Sequence, residues 1–243
     1  LFLDTTGPGL HKRGYRAVGN DAPLRETLAA GMVQLTRYRG RDFFWDPFCG
    51  SGTIAIEAAS IAANMAPGLN RSFAFESLSG FDLDLWQEMK EDARAAVNLH
   101  AKVRIEAHDI SSIVVEKAIE NARRAGFGAM IDDGRLLFSQ GDAREIQAPE
   151  GAEAGLVIAN PPYGEQSNPK SASIAAMMRD FAAALKSNFP GWTAWLLTSD
   201  RLLPGQMRLK ESRKIVLFNG PLECRFFRFD MVAGSNRRKP AAN

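Results

Sequence analysis

The chain has 243 residues, 45% of them hydrophobic, enough for one large domain with a substantial core; its 30 basic and 28 acidic side chains nearly balance, so overall charge announces no nucleic-acid partner. Cys49 and Cys224, with His11, His100 and His108, have neither metal-ligand nor disulfide-framework spacing, which argues against a structural zinc and fits a reducing compartment. No apolar run reaches the roughly 18 residues of a membrane span, and the first residues lack the charged start, apolar centre and cleavage site of a signal peptide, so a cytoplasmic monomer with no metal and no membrane contact is expected.

In chain order, apolar residues at helical spacing predict a helix over 24–38, and a short apolar strand follows at 42–45. A Gly-rich turn leads into a helix over 53–65, and a further helix is predicted over 83–98. Strands are expected at 103–107, 136–139, 155–159, 192–198, 214–218 and 226–231. Helices over 111–125 and 172–188 lie between them. In the 111–125 helix, Ile113, Val114, Ala118, Ile119 and Ala122 form one stripe, Ser111 is placed to cap its start and Gly126 to end it. Asn219-Gly220 between the last two strands favours a tight reversal and an antiparallel pair.

This alternation predicts an α/β fold, a doubly wound, Rossmann-like sheet of seven mostly parallel strands with one antiparallel strand at its edge. The catalytic domain is expected over 16–233, with a disordered basic tail over 234–243.

Three acids close successive strands. Asp46 stands at a strand end ahead of the loop Cys49-Gly50-Ser51-Gly52, whose glycines allow a tight turn and close approach of a ligand to the backbone. The loop satisfies a loose dinucleotide fingerprint, but a carboxylate at Asp46 would repel a pyrophosphate and attract an ammonium group. S-adenosylmethionine carries an ammonium, a carboxylate for the loop amides and no phosphate. The plainer alternative for Asp46 is a local turn with Pro47. Asp109 is placed to accept ribose hydroxyls, or to serve as a carboxylate at a helix start, and Asp142 to accept from an adenine amine, or to stand in a turn. A nucleotide-dependent oxidoreductase is the competing reading of the glycines, and Asp109 lies far beyond the roughly 20 residues that reading needs; a noncatalytic RNA-binding domain that keeps the fold is the other alternative.

At the end of the 155–159 strand stands Asn160-Pro161-Pro162-Tyr163. The asparagine oxygen and a proline carbonyl can grip both hydrogens of a planar amino group; Tyr163 offers a stacking face, and the prolines fix the separations. Guanine N2, adenine N6 and a glutamine amide all suit such a grip. The basic runs in HKRGYR, in 37–41 and in 208–214 are candidates for RNA-backbone contacts or simply solvated faces.

In this order, DPFCGSGT, HDIS, GDA and NPPYGE resemble the motifs of class I S-adenosylmethionine-dependent methyltransferases acting on exocyclic amines. LDTTGPGLHKRGYR, APLRETLAA and the insertion NMAPGLNRSFAFE resemble more narrowly the bacterial 23S rRNA guanine-N2 methyltransferase family, across nearly the whole chain. The resemblance implies S-adenosylmethionine as cofactor, RNA as partner, and an RNA-binding THUMP domain ahead of a linker at 1–15. It also implies that Asp46, Cys49, Gly50, Ser51 and Gly52 hold the methionine portion, Asp109 the ribose, and Asp142 with the Ala143 amide the adenine. Asn160, Pro161, Pro162 and Tyr163 would then position the guanine, with Asn160 also counted among the cofactor-binding residues. Ser111 stands where relatives commonly carry a second acid.

Overall fold

Short branched and aromatic runs build the sheet, with burial continuous along the central strands and alternating along the outer ones. A computed structural model describes residues 2–16, 24–162 and 171–232. Its strands are β1 (Phe43–Asp46), β2 (Arg104–Asp109), β3 (Leu136–Gln140), β4 (Gly155–Ala159), β5 (Thr193–Thr198), β6 (Arg213–Asn219) and β7 (Leu222–Asp230). The helices are α1 (Glu26–Leu35), α2 (Thr53–Ala62), α3 (Leu83–Ala95), α4 (Ser112–Arg124), α5 (Gly128–Asp132), α6 (Ser171–Asn188) and α7 (Leu203–Met207). Every strand and every long helix expected from the sequence is present; α5 and α7, five residues each, were not foreseen.

The seven strands lie in the order β3-β2-β1-β4-β5-β7-β6, parallel from β3 through β5. Because side chains alternate across a strand, two cores form. Phe44, Ile105, Leu136, Ile158 and Trp195 pack with α1, α2 and α4 on one face. Trp45, Val157, Ala159, Leu196, Phe227 and Phe229 pack with α6 and α7 on the other. Burying both faces is what makes these strands read as nearly continuous apolar runs.

The seven-stranded, mostly parallel sheet with one reversed strand is as expected, and three details differ. The one reversed strand is not the edge strand: β7 runs antiparallel between β5 and β6, and β6 is outermost. The reason lies in side-chain burial, since β7 buries Cys224, Phe226, Phe227 and Phe229, whereas β6 exposes every second residue as an edge strand does. Gly220, at φ +62° beside Pro221, makes the tight reversal between them. In α4 the buried stripe is Val115, Ala118 and Ala122, with Ile113 exposed, one step round the helix from the expected face. Ser111 occupies the N-cap position without a side-chain cap bond; its backbone N–H donates instead to Asp109, and Gly126 at φ +96° follows the helix end.

Candidate active site

The chain reverses its direction of sheet growth between β1 and β4, and in an open parallel sheet the carboxyl edge at such a switch is where ligands bind. Asp46 ends β1 and Asn160 follows the end of β4, so these two side chains flank the switch point. Asp109 ends β2, and Asp142 stands two residues past the end of β3, continuing the row of acids along the same edge.

Asp46 is fully buried. One of its oxygens accepts the Phe48 amide at 3.3 Å, the local turn expected as its plainer role. The other oxygen is buried with no hydrogen-bond partner among the described residues. Burial pushes this carboxyl well above the usual carboxylate range, the Phe48 amide opposes that, and the charge of Asp109 adds to it. A desolvated, half-satisfied carboxylate is a site prepared for a cation that brings its own donors.

The glycine loop is tied down from three directions. The Gly50 amide donates to Asp109 Oδ2 at 3.1 Å, and the Cys49 amide donates to the His108 carbonyl at 2.8 Å. From α4, the buried Asn121 donates its side-chain amide to the Ser51 carbonyl at 3.0 Å. Gly52, at φ +84°, caps α2; a Cβ there would meet Ala118 at 3.0 Å and Phe138 at 3.1 Å, so the loop passes too close to the neighbouring elements for a side chain. Gly50, at φ +53°, differs: a Cβ there would meet nothing within 4 Å, leaving backbone open for a ligand. The Cys49 thiol is buried and held protonated by that burial and by the nearby Asp46 and Asp109.

The remaining expected residues are placed unequally. Asp109 spends one oxygen on Gly50 and the other on the Ser111 amide at 3.0 Å, so it braces the loop as well as facing the edge. Asp142 binds Arg144 through both oxygens, at 2.9 and 3.0 Å, and this ion pair holds its carboxyl below the usual range. Ala143 is buried beside it. Asn160 is half-buried, Pro161 buried and Pro162 exposed; Tyr163 lies outside the described residues.

Sequence reading missed a second network behind the loop. Arg16 donates to the Leu24 carbonyl and to Thr53 Oγ1, both at 2.6 Å, and lies 3.3 Å from Glu26; Arg13 pairs with Glu57 of α2 at 3.3 Å, where Tyr15 also donates. Two arginines of HKRGYR are therefore spent inside the protein. The run at 37–41 precedes β1 and the run at 208–214 leads into the first residues of β6, both at the sheet edge opposite the candidate site. A cavity of about 720 Å³ lined by Arg13, Gln34, Arg39, Asn64, Met65 and Arg124 includes none of the expected site residues. Among the described residues no cluster suited to a metal ion occurs, and no helix is long and apolar enough to cross a membrane.

Residues 13–228 match the model of the UPF0020 family, described as the RMKL-like methyltransferase domain. Over its whole length the chain is 41% identical to the ribosomal RNA large subunit methyltransferase K/L of Aliivibrio salmonicida, but spans only 34% of that protein, about a third of its length. Among solved structures, SMU.472, crystallised with S-adenosylhomocysteine, superposes with a TM-score of 0.82 at 33% identity, covering 96% of this chain and 58% of that one. A possible methylase from Clostridium difficile 630 superposes with a TM-score of 0.84 at 37% identity, covering 99% of this chain and 59% of that one.

Proposed function

Because the chain belongs to the RMKL-like methyltransferase domain family, we propose that it transfers a methyl group from S-adenosylmethionine to the exocyclic N2 amine of a guanine in 23S rRNA. The observation that carries this reading is the pairing, across the β1–β4 switch point, of a buried Asp46 oxygen without a partner and the Asn160-Pro161 corner. The first suits the cofactor's ammonium and would repel a phosphate; the second suits a planar amine. The relatives' names and the S-adenosylhomocysteine found in SMU.472 support the same assignment.

The residues present fit the cofactor. Asp46 would hold its ammonium, the open space beside Gly50 would admit its carboxylate to the start of α2, Asp109 would hold its ribose, and Asp142 with Ala143 its adenine. When bound, S-adenosylmethionine supplies a methyl already activated by a positively charged sulfur. The chain's own task is then geometric. The Asn160 side-chain oxygen and the Pro161 carbonyl accept the two N–H groups of the guanine amine, which turns its lone pair toward the methyl, and Tyr163 offers a face to the base. No strong base is required: holding the attacking nitrogen in line at near-attack distance would supply most of the acceleration, and the proton that the amine gives up as a nitrogen–carbon bond replaces the sulfur–carbon bond can pass to water. The guanine must leave its stack to reach this corner, as chemistry on a base generally requires. An rRNA substrate fits a cytoplasmic site of action.

The test is methyl incorporation from labelled cofactor into stripped 23S rRNA, tRNA, DNA and protein in parallel, followed by identification of the methylated nucleoside. N2-methylguanosine in 23S rRNA is the expected product. Label confined to protein, or methyl on adenine N6 of DNA, contradicts the reading.

A further inference from the structure

The carboxyl edge of the sheet does not end at the candidate site. β7 is antiparallel to β5 and begins opposite the end of β5, with Arg225 abreast of Thr198; the tip of the β6–β7 hairpin therefore stands on the same edge as Asn160. At about 4.8 Å per strand, β6 lies roughly 14 Å from β4 along that edge. The tip carries Phe218, 60% exposed, and Val216, 49% exposed, on the outermost strand. Glu223 lies opposite Phe218 across the hairpin and is reached at 2.7 Å by both Arg201 and Arg225; Leu202, next to Arg201, is 72% exposed. The hairpin tip thus sets an exposed aromatic ring and Val216 beside an Arg-Glu-Arg cluster, with the exposed Leu202 following Arg201 in the chain. Asp200, the other acid nearby, is occupied internally, accepting from the Leu202 amide and from Gln206 at 2.8 Å.

Nothing in the fold requires a phenylalanine to stand in solvent at a hairpin tip, and an exposed aromatic beside arginines on a catalytic edge has the composition of a single-strand nucleic-acid platform. Arg201 has 71% of its side chain exposed, and its contact with Glu223 leaves further guanidinium donors for a phosphate. We propose that this hairpin tip receives the unpaired RNA segment flanking the target guanine, with a base stacked on Phe218 and the backbone held by Arg201. This rests on the reading of the site as an RNA methyltransferase. It also assigns RNA contacts to a different place from the basic runs at 37–41 and 208–214, which begin at the opposite edge.

Phe218→Ala, Phe218→Tyr and Arg201→Ala, all at exposed positions, separate the possibilities. The expected result for Phe218→Ala is a KM for RNA raised about tenfold, with kcat and calorimetric affinity for S-adenosylmethionine within twofold of the parent. Phe218→Tyr restores KM, and Arg201→Ala raises it less and flattens its salt dependence. An active parent with an unchanged KM in Phe218→Ala overturns the platform while leaving the site reading intact, and so does a loss in Phe218→Ala that Phe218→Tyr does not recover. A parent that binds S-adenosylmethionine but methylates no RNA overturns the site reading and the platform with it.

Discussion

Asp109 and Gly50 are 59 residues apart in sequence, yet the Asp109 carboxylate accepts the Gly50 amide at 3.1 Å. An acid expected to bind ribose therefore also sets the conformation of the loop expected to bind methionine. Asp109→Ala removes a charge-assisted bond to Gly50 and another to Ser111, each worth about 1.5–3 kcal/mol in such settings. The expected outcome is a fall in S-adenosylmethionine affinity of roughly ten- to a hundredfold, with a lower Tm even without cofactor. Calorimetry and thermal melting check both; an altered affinity with an unchanged Tm would confine Asp109 to ligand contact.

Asp46 makes binding pH-dependent. Burial raises its carboxyl above the usual carboxylate range in the folded protein, so at intermediate pH the folded state keeps a proton that the unfolded state has released. Stability of the ligand-free protein therefore declines as pH rises from the ordinary carboxylate range through the raised value. A cationic ligand favours the ionised form, so its binding expels the proton and tightens as pH rises. Titration in buffers of different ionisation enthalpy should register this proton release. Asp46→Asn is expected to stabilise the ligand-free protein at neutral pH by about 1–3 kcal/mol, while lowering cofactor affinity at least tenfold.

The two loop glycines should fail differently. Gly52→Ala meets Ala118 and Phe138 at 3.0–3.1 Å and carries the strain of φ +84°, so it is expected to destabilise the fold by roughly 2–3 kcal/mol. Gly50→Ala has open space and carries the φ penalty alone, about 1 kcal/mol. Its main effect should be on cofactor affinity, because the added methyl projects where a ligand would approach. Chemical denaturation and calorimetry on both variants separate these effects.

How much of this was readable beforehand follows the range of the signals. All seven strands and the five long helices are written in local patterns of a few residues, and the Asn-Gly reversal is written in two. The position of β7 inside β6 is not local: it depends on which strand has more apolar surface to bury once both are formed. Helices α5 and α7 are five residues long, too short for a period of 3.6 to register. At the site, the row of acids on successive strand ends was legible because topology carries strand ends to one edge. The contacts that hold the loop were not, since Asn121 to Ser51, Arg16 to Thr53 and Asp109 to Gly50 join residues brought together only by folding. Arg13 and Arg16 read as surface charge for the same reason: their partners Glu57 and Glu26 lie on helices elsewhere in the sequence.

The central claim is that Asn160 serves the acceptor amine while Asp46, across the switch point, serves the cofactor. Its most direct test is single-turnover methyl transfer to 23S rRNA by Asn160→Ala, measured beside calorimetric binding of S-adenosylmethionine. The account predicts a rate reduced at least a hundredfold, as befits loss of a positioning contact, with cofactor affinity within about threefold of the parent. A variant that methylates RNA at the parent rate, or one that loses cofactor binding together with turnover, contradicts it.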